Sequence, residues 1–358
     1  MQMRQPSTRT RTATAAVIAL TGLLLVVLDG SAAARPTSLQ KRTAGQVEAL
    51  VLDGSRIAYD VAGTNGPGAR CNVIYVWNLR RNIRTRVSGR QTCSADTTST
   101  GAGVRELALA GGRAAWIVNK GGNSDSGDYL YVAALARPNE RILASAFRTG
   151  DVDGILTGNW LGGLVGAKSF LAVNHWATNT NGAVTSARLQ RIGARLGNLT
   201  EGTASIVARS TDGRQVAVLR QDGTIGLYST RGKLLRVVTP SSATEVAVRG
   251  DYLAVLTKTR TLEVYNSHSG RRLRSWHVAS GAVHLDVSNR LASYAAPHAV
   301  HVVRLATGKG TFVARTGAEI RGVQLEPAGL AYAIDGPHET GKVVFVPMSR
   351  LQPKPRLR

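Results

Sequence analysis

Residue types that do chemistry or hold metals are thin in this chain. Of its 358 residues, two are cysteine and seven are histidine. Two cysteines cannot make a four-thiolate zinc site. His298 and His301 are the one close histidine pair. Three positions apart on a strand they point to opposite faces, so they could share a metal only across a turn. No serine, cysteine or lysine stands in a nucleophile motif, and there is no glycine-rich phosphate loop. No catalytic residue is therefore assigned. Aromatic residues make up 5% of the chain, and none interleave with the basic stretches as a nucleic-acid surface would need. No segment sustains a 3.6-residue apolar period, which argues against a helical bundle. The longest apolar run, Ala15 to Leu28, has 14 residues. A membrane-spanning helix needs ~20.

Acids are also few: 22 against 45 lysines and arginines, a formal net charge of +23. Such a chain attracts polyanions. The charge starts early, with Arg4, Arg9 and Arg11 before the apolar run and Ser31-Ala32-Ala33-Ala34 after it. A basic start, an apolar stretch and a small-residue cleavage site make a signal peptide. Residues 1–34 are thus expected to be removed, with an uncleaved anchor as the alternative. Cleavage removes three Arg and one Asp, so +23 becomes +21. An exported protein is secreted, periplasmic or held at the cell surface. Export also permits a disulfide between Cys71 and Cys93. Their midpoint, Asn82, lies in the turn-like Arg80-Arg81-Asn82, and a hairpin there would set the two side by side. The closed loop would contribute roughly 3 kcal/mol. Two free buried thiols are the alternative.

What the sequence has in quantity is glycine, 39 residues, and repetition. Gly232, Gly270 and Gly308 lie 38 residues apart, each between two alternating strands. An apolar-Ala dipeptide recurs at Ala58, Ala115, Ala172, Ala217, Ala254, Ala292 and Ala331. A small residue at one repeated place means that backbones crowd there. Each unit reads as four short strands with polar connections. In the second unit they are Glu106–Leu109, Arg113–Val118, Tyr129–Leu135 and Arg141–Ala144. About 320 mature residues over seven units give about 46 each, near the ~40–45 of a four-stranded blade. The predicted fold is all-β: one seven-bladed β-propeller over residues 46–351, with a basic tail at 352–358. Tandem β-sandwiches are the rival. In the third unit, the glycine-rich Leu161–Gly166 stands where a first strand belongs. The seventh unit stops after Lys342–Pro347, so residues 35–45 are the available closing strand.

On these repeats the chain resembles exported bacterial WD40-like or YVTN-type propeller proteins. Ile74-Tyr-Val-Trp77-Asn-Leu79 is similar to the end of the third strand of a WD repeat, and Tyr228 and Tyr265 fall where Trp77 does. The Gly-His and Trp-Asp signatures are absent as pairs, so the Asp–His network of a WD blade is not implied. The resemblance implies a rigid scaffold that presents loops to a partner. It supplies no active-site residues.

In a propeller, the turns joining strands one to two and three to four share a face. That set holds Arg56, Arg113, Lys168, Arg214, Arg249, Arg290, Arg80, Arg81, Arg84, Arg137, Arg141, Arg191, Arg195, Arg231, Lys233, Arg271, Arg272 and Lys309. Five acids oppose these eighteen: Asp53, Glu140, Asp212, Asp251 and Glu326, a balance of +13. The other connections hold eight cations (Arg70, Arg90, Lys120, Arg148, Arg220, Lys258, Arg260, Arg315). Ten acids face them, a balance of −2: Asp96, Asp125, Asp128, Asp151, Asp153, Glu201, Asp222, Glu319, Asp335 and Glu339. The basic face is read as docking on an anionic cell-surface polymer or lipid headgroups, with solubilising charge as the alternative. Nucleic acid is not the expected partner.

The opposite face carries polar segments at 61–70, 119–128 and 174–183, where Asn123, Asp125, Asp128, His175 and Trp176 would meet a protein or glycan. Trp116, Trp160, Trp176 and Trp276 are otherwise read as blade core. Residues 123–128 have the oxygen density of a calcium loop but lack the distal Glu of an EF-hand. No cofactor is predicted, with calcium as the alternative at that segment. An exported propeller enzyme, such as a lactone hydrolase, lyase or quinone-dependent dehydrogenase, is the second functional reading. Asp125, Asp128, His175 and His338 are its candidates.

Overall fold

The computed structural model describes residues 38–64, 70–89, 102–121, 125–150, 156–202, 206–288 and 290–351. The segments read as signal peptide and basic tail, as well as Cys93 and Asn123, lie outside them. Short β-branched and alanine-rich runs, punctuated by Gly and Asp, fold into antiparallel strands throughout the described chain.

The strand β1 (Leu39–Thr43) comes first. Blade 1 is β2 (Leu50–Asp53), β3 (Arg56–Thr64), β4 (Arg70–Asn78) and β5 (Ile83–Arg86). Blade 2 is β6 (Ala102–Ala110), β7 (Arg113–Gly121), β8 (Asp125–Ala134) and β9 (Arg137–Gly150). Blade 3 is β10 (Leu156–Ala167), β11 (Phe170–Thr178), β12 (Val184–Ile192) and β13 (Leu196–Gly202). Blade 4 is β14 (Ile206–Thr211), β15 (Gln215–Arg220), β16 (Ile225–Ser229) and β17 (Leu234–Val238). Blade 5 is β18 (Ala243–Arg249), β19 (Tyr252–Thr257), β20 (Thr261–Asn266) and β21 (Arg272–His277). Blade 6 is β22 (Val283–Ser288), β23 (Leu291–Ala296), β24 (Ala299–Arg304) and β25 (Gly310–Arg315). Blade 7 is β26 (Ile320–Glu326), β27 (Gly329–Asp335) and β28 (Gly341–Pro347), followed by the short helix α1 (Met348–Leu351).

Each blade's first strand touches the first strand of the next blade, and β26 touches β2, so the seven blades form a closed ring. The fourth strand of blade 7 is β1, paired from Leu39 opposite Phe345 to Thr43 opposite Gly341. The expected closing segment is therefore a strand, despite its polar residues. The Leu161–Gly166 run also forms a first strand, with a bulge between Gly162 and Val165. Blades 2 and 3 are joined into one eight-stranded sheet where β9 pairs β10, Gly150 opposite Leu156.

All seven repeated alanines lie on second strands and are fully buried. They sit one strand outside the innermost one, where a blade still packs tightly on both neighbours. Trp77, Tyr228 and Tyr265 occupy one register position on third strands, opposite Ile57, Val216 and Leu253. Apolar clusters fill the seams between blades; that of blades 1 and 2 contains Ile74, Leu107 and Trp116. Gly232 and Gly308 turn between third and fourth strands at φ 84° and 70°. At Gly232 a Cβ would also collide with the Leu199 carbonyl oxygen.

Two expectations are corrected. The segments 119–128 and 174–178 are mostly strand rather than loop: β7 runs to Gly121, β8 starts at Asp125 and β11 runs to Thr178. Blade 2's strands are longer than predicted for the same reason. Antiparallel pairing satisfies the backbone well past the apolar core, so polar residues there signal exposure without signalling loop. Among the described residues no helix is long and apolar enough to cross a membrane.

Candidate functional site

Neighbouring strands in every blade are antiparallel, so turns one-to-two and three-to-four leave each sheet at the same end. The hairpin ends 79–82, 111–112, 168–169, 193–195 and 267–271 thus gather on one face. Of the eighteen basic residues assigned to it, fifteen are exposed; Arg56, Arg113 and Arg249 are half-buried. The acids on this face behave differently. Asp53 accepts the amides of Gly111 and Lys168, both at 2.8 Å, and so ties blade 1 to blades 2 and 3. Buried Asp212 caps its own turn at Arg214 and Gln215 and accepts the Gly250 amide at 3.0 Å. Glu326 is buried against Arg249 at 2.5 Å. Glu140 is half-buried, and exposed Asp251 pairs with His268 at 2.9 Å. Arg249 and Arg272 are the two of the eighteen that pair with carboxylates among the described residues.

The turns aim these cations outward. Asn78 Oδ1 accepts the amides of Arg80 and Arg81 at 3.1 and 3.2 Å, fixing the turn with both side chains exposed. Arg84 lies over the Tyr75 ring at 4.5 Å. Arg113 donates to the Ile192 carbonyl at 3.1 Å and Arg141 to the Ala194 carbonyl at 3.1 Å. Burial, together with the charges of Arg191 and Arg141, pulls the Arg113 pKa below its usual range. Arg195 stands exposed in the same turn. Arg271 is exposed, and its amide meets Ser269 Oγ at 3.3 Å. Arg272 reaches the buried carboxylate of Glu263 at 3.5 Å, and Lys309 is exposed.

On the other face, the candidates divide. Asp125 is exposed at the start of β8. Asp128 is fully buried and belongs to the framework, contrary to its expected place in a solvated segment. It pairs with Arg148 at 2.8 Å and accepts from Asn119 at 2.9 Å and the Leu161 amide at 3.2 Å. His175 lies on β11 with a buried Nε2 that meets no hydrogen-bond partner among the described residues. Burial, then the Arg188 charge, keeps its pKa below the usual value. Trp176 stacks on Trp160 with centroids 6.0 Å apart, and Arg148 covers Trp160 at 4.0 Å. Both rings are half-buried at the blade end, whereas Trp77 and Trp116 are core. His338 sits in the Gly336–Thr340 turn of blade 7, apart from the other three enzyme candidates in blades 2 and 3.

Around the axis, the first strands of all seven blades line a cavity of about 100 Å³, with Val51, Ala108, Arg209, Asp286 and Gln324 among its walls. Arg249, one of its lining residues, meets Glu326 from 77 positions away, a pairing that no local pattern announces. Burial pushes the Glu326 pKa up to about 7, opposed by Arg249 and reinforced by Asp286 and Asp53. First-strand side chains also clasp the next blade. Glu106 accepts the Leu164 amide at 2.6 Å, Glu245 accepts those of His284 and Leu285 at 2.9 and 2.6 Å, and Asp286 accepts that of Leu325 at 2.7 Å. Leu164, His284 and Leu285 lie within first-strand bulges, where ladder pairing is broken.

No family model matches the chain, and no curated protein matches it in sequence. Solved structures do match in fold. The WD40 β-propeller domain of Doa1 is 14% identical at a TM-score of 0.54, over 87% of this chain and 97% of that one. A chain of the mitotic checkpoint complex is 14% identical at a TM-score of 0.53, over 94% of this chain and 99% of that one.

Proposed function

We propose that this chain is a non-catalytic interaction scaffold. It docks its basic turn face on an anionic surface or polymer and offers the opposite face to a protein or glycan. The observation behind this reading is the unequal treatment of charge on one face. Acids there are mostly drawn inward to hold backbone amides or Arg249, while fifteen cations stand in water. Exposed like charges repel, and a polyanion that displaces small counterions relieves that repulsion. The propeller supplies rigidity; function rests on this surface and not on the fold alone. Read together with a signal peptide at 1–34, the partner is a wall polymer or lipid headgroup outside the cytoplasm.

The test is retention on immobilised polyglutamate. Retention should fall steeply with salt, since the field shrinks to ~8 Å at physiological strength. Arg80→Glu, Arg81→Glu, Arg191→Glu and Arg271→Glu together should abolish it. Lys258→Glu with Arg260→Glu, on the opposite face, should change it little. Arg272 is left intact because it neutralises buried Glu263. Equal retention of the fourfold variant and the parent would mean that the charge only solubilises the protein.

A further inference from the structure

The seam between blades 1 and 2 opens on the basic face as a groove of about 310 Å³. That is within the range of small-ligand sites, ~300–1,000 Å³. Its position follows from strand alternation. Along β5 and the residue after it, Ile83, Thr85 and Val87 line the groove, while Arg84 turns away onto Tyr75. The facing wall is the short Leu135–Ala136 turn, too small to cover them. The floor is buried and apolar at Val76 and Val87, which are 5% and 2% exposed, but Ile83 remains 55% exposed at the mouth. Arg56 and Arg81 stand at the rim. Arg56 donates to the Gly111 carbonyl, which holds its guanidinium in place. No carboxylate pairs with either arginine among the described residues.

An apolar floor under two uncompensated guanidiniums is complementary to an alkyl chain that ends in an anionic head. A purely acidic polymer has nothing to put against Ile83, and a neutral alkane leaves the arginines idle. We infer that this groove binds a straight-chain amphiphile with one anionic headgroup. The chain lies on Val76, Ile83 and Val87, and the head sits between Arg56 and Arg81. The site rests on the basic-face reading and narrows its partner to an anionic lipid.

Titration calorimetry with monomeric decanoate tests this, alongside polyglutamate retention and flotation with vesicles containing anionic lipid. Decanoate should bind saturably at one equivalent. Ile83→Asp should weaken it by about tenfold or more, the scale of losing one buried aliphatic contact and adding a repelling charge. Ile83 is exposed, so the fold tolerates the change; Leu135→Lys, on the other wall, should separately block the chain. Both variants should keep polyglutamate retention. Arg81→Gln should weaken decanoate while leaving decanol unaffected. Binding of decanoate that ignores Ile83 and Leu135, or no saturable binding of decanoate or vesicles, overturns the groove while leaving the basic face standing. Groove-dependent decanoate binding without polyglutamate retention overturns the basic face and keeps the groove. Vesicle binding that needs Ile83, without decanoate binding, supports the groove and assigns the chain to a bilayer.

Discussion

At the scale of single residues, two positions carry more than packing. Lys168 holds φ 55° at the turn position where blades 1, 2 and 5 use Gly54, Gly111 and Gly250. A side chain there costs roughly 1–2 kcal/mol, and the residue that bears the cost is a basic one on the candidate docking face. Lys168→Gly should therefore stabilise the fold by about 1 kcal/mol in denaturant melts and weaken polyglutamate retention at the same time. A loss of stability would show that the lysine is held for structural reasons. Asp60 is the second position. It accepts the amides of Glu48 and Ala49 and the Asn72 side chain, and no ion pair to it is present among the described residues. Burial pushes its pKa from 3.8 up to about 7. A raised acid keeps its proton in the folded state while the unfolded chain loses it. Stability is therefore fully present below pH ~4 and is lost as pH rises through ~7, by an amount on the order of a few kcal/mol. Asp60→Asn should flatten that slope in melts taken across the window, and an unchanged slope would mean that Asp60 is ionised in the fold.

At the scale of elements, the closing strand decides most. β1 supplies the fourth strand of blade 7 from the far end of the described chain, and its removal leaves β28 as a bare edge. Several backbone hydrogen bonds at ~1 kcal/mol each are lost with it. Deleting residues 38–45 should lower Tm by roughly 10 °C and promote association through the exposed edge. A melt that matches the parent would show that the ring does not depend on β1. The clasping carboxylates belong to this scale too. Glu106, Glu245 and Asp286 do between blades what strand pairing does within them, and they withdraw negative charge from the solvent.

At the scale of the molecule, the ring turns a one-dimensional repeat into a two-sided object. Six of the seven blades carry a basic residue at or beside the one-to-two turn, so modest charge at each repeat sums around the ring. The groove between blades 1 and 2 exists because seams widen toward the rim and a two-residue turn cannot fill one of them. Docking charge and apolar groove open on the same side, which is why a single anionic amphiphile can address both.

Periodicity made the architecture legible in the sequence. The alanine and glycine spacings gave blade number, strand order and the burial of Ala58 through Ala331, because each repeat meets the same neighbours. Alternating antiparallel strands then assigned turns to faces without coordinates. Contacts between residues far apart in sequence were not legible. Asp128 has the local pattern of a solvated acid, but Arg148, twenty positions on, pairs with it in the core. Arg249 and Glu326 have the local pattern of two surface turn charges, and the ring pairs them. The groove was hidden for the same reason: alternation says which way Ile83 points, but only packed neighbours decide whether anything covers it.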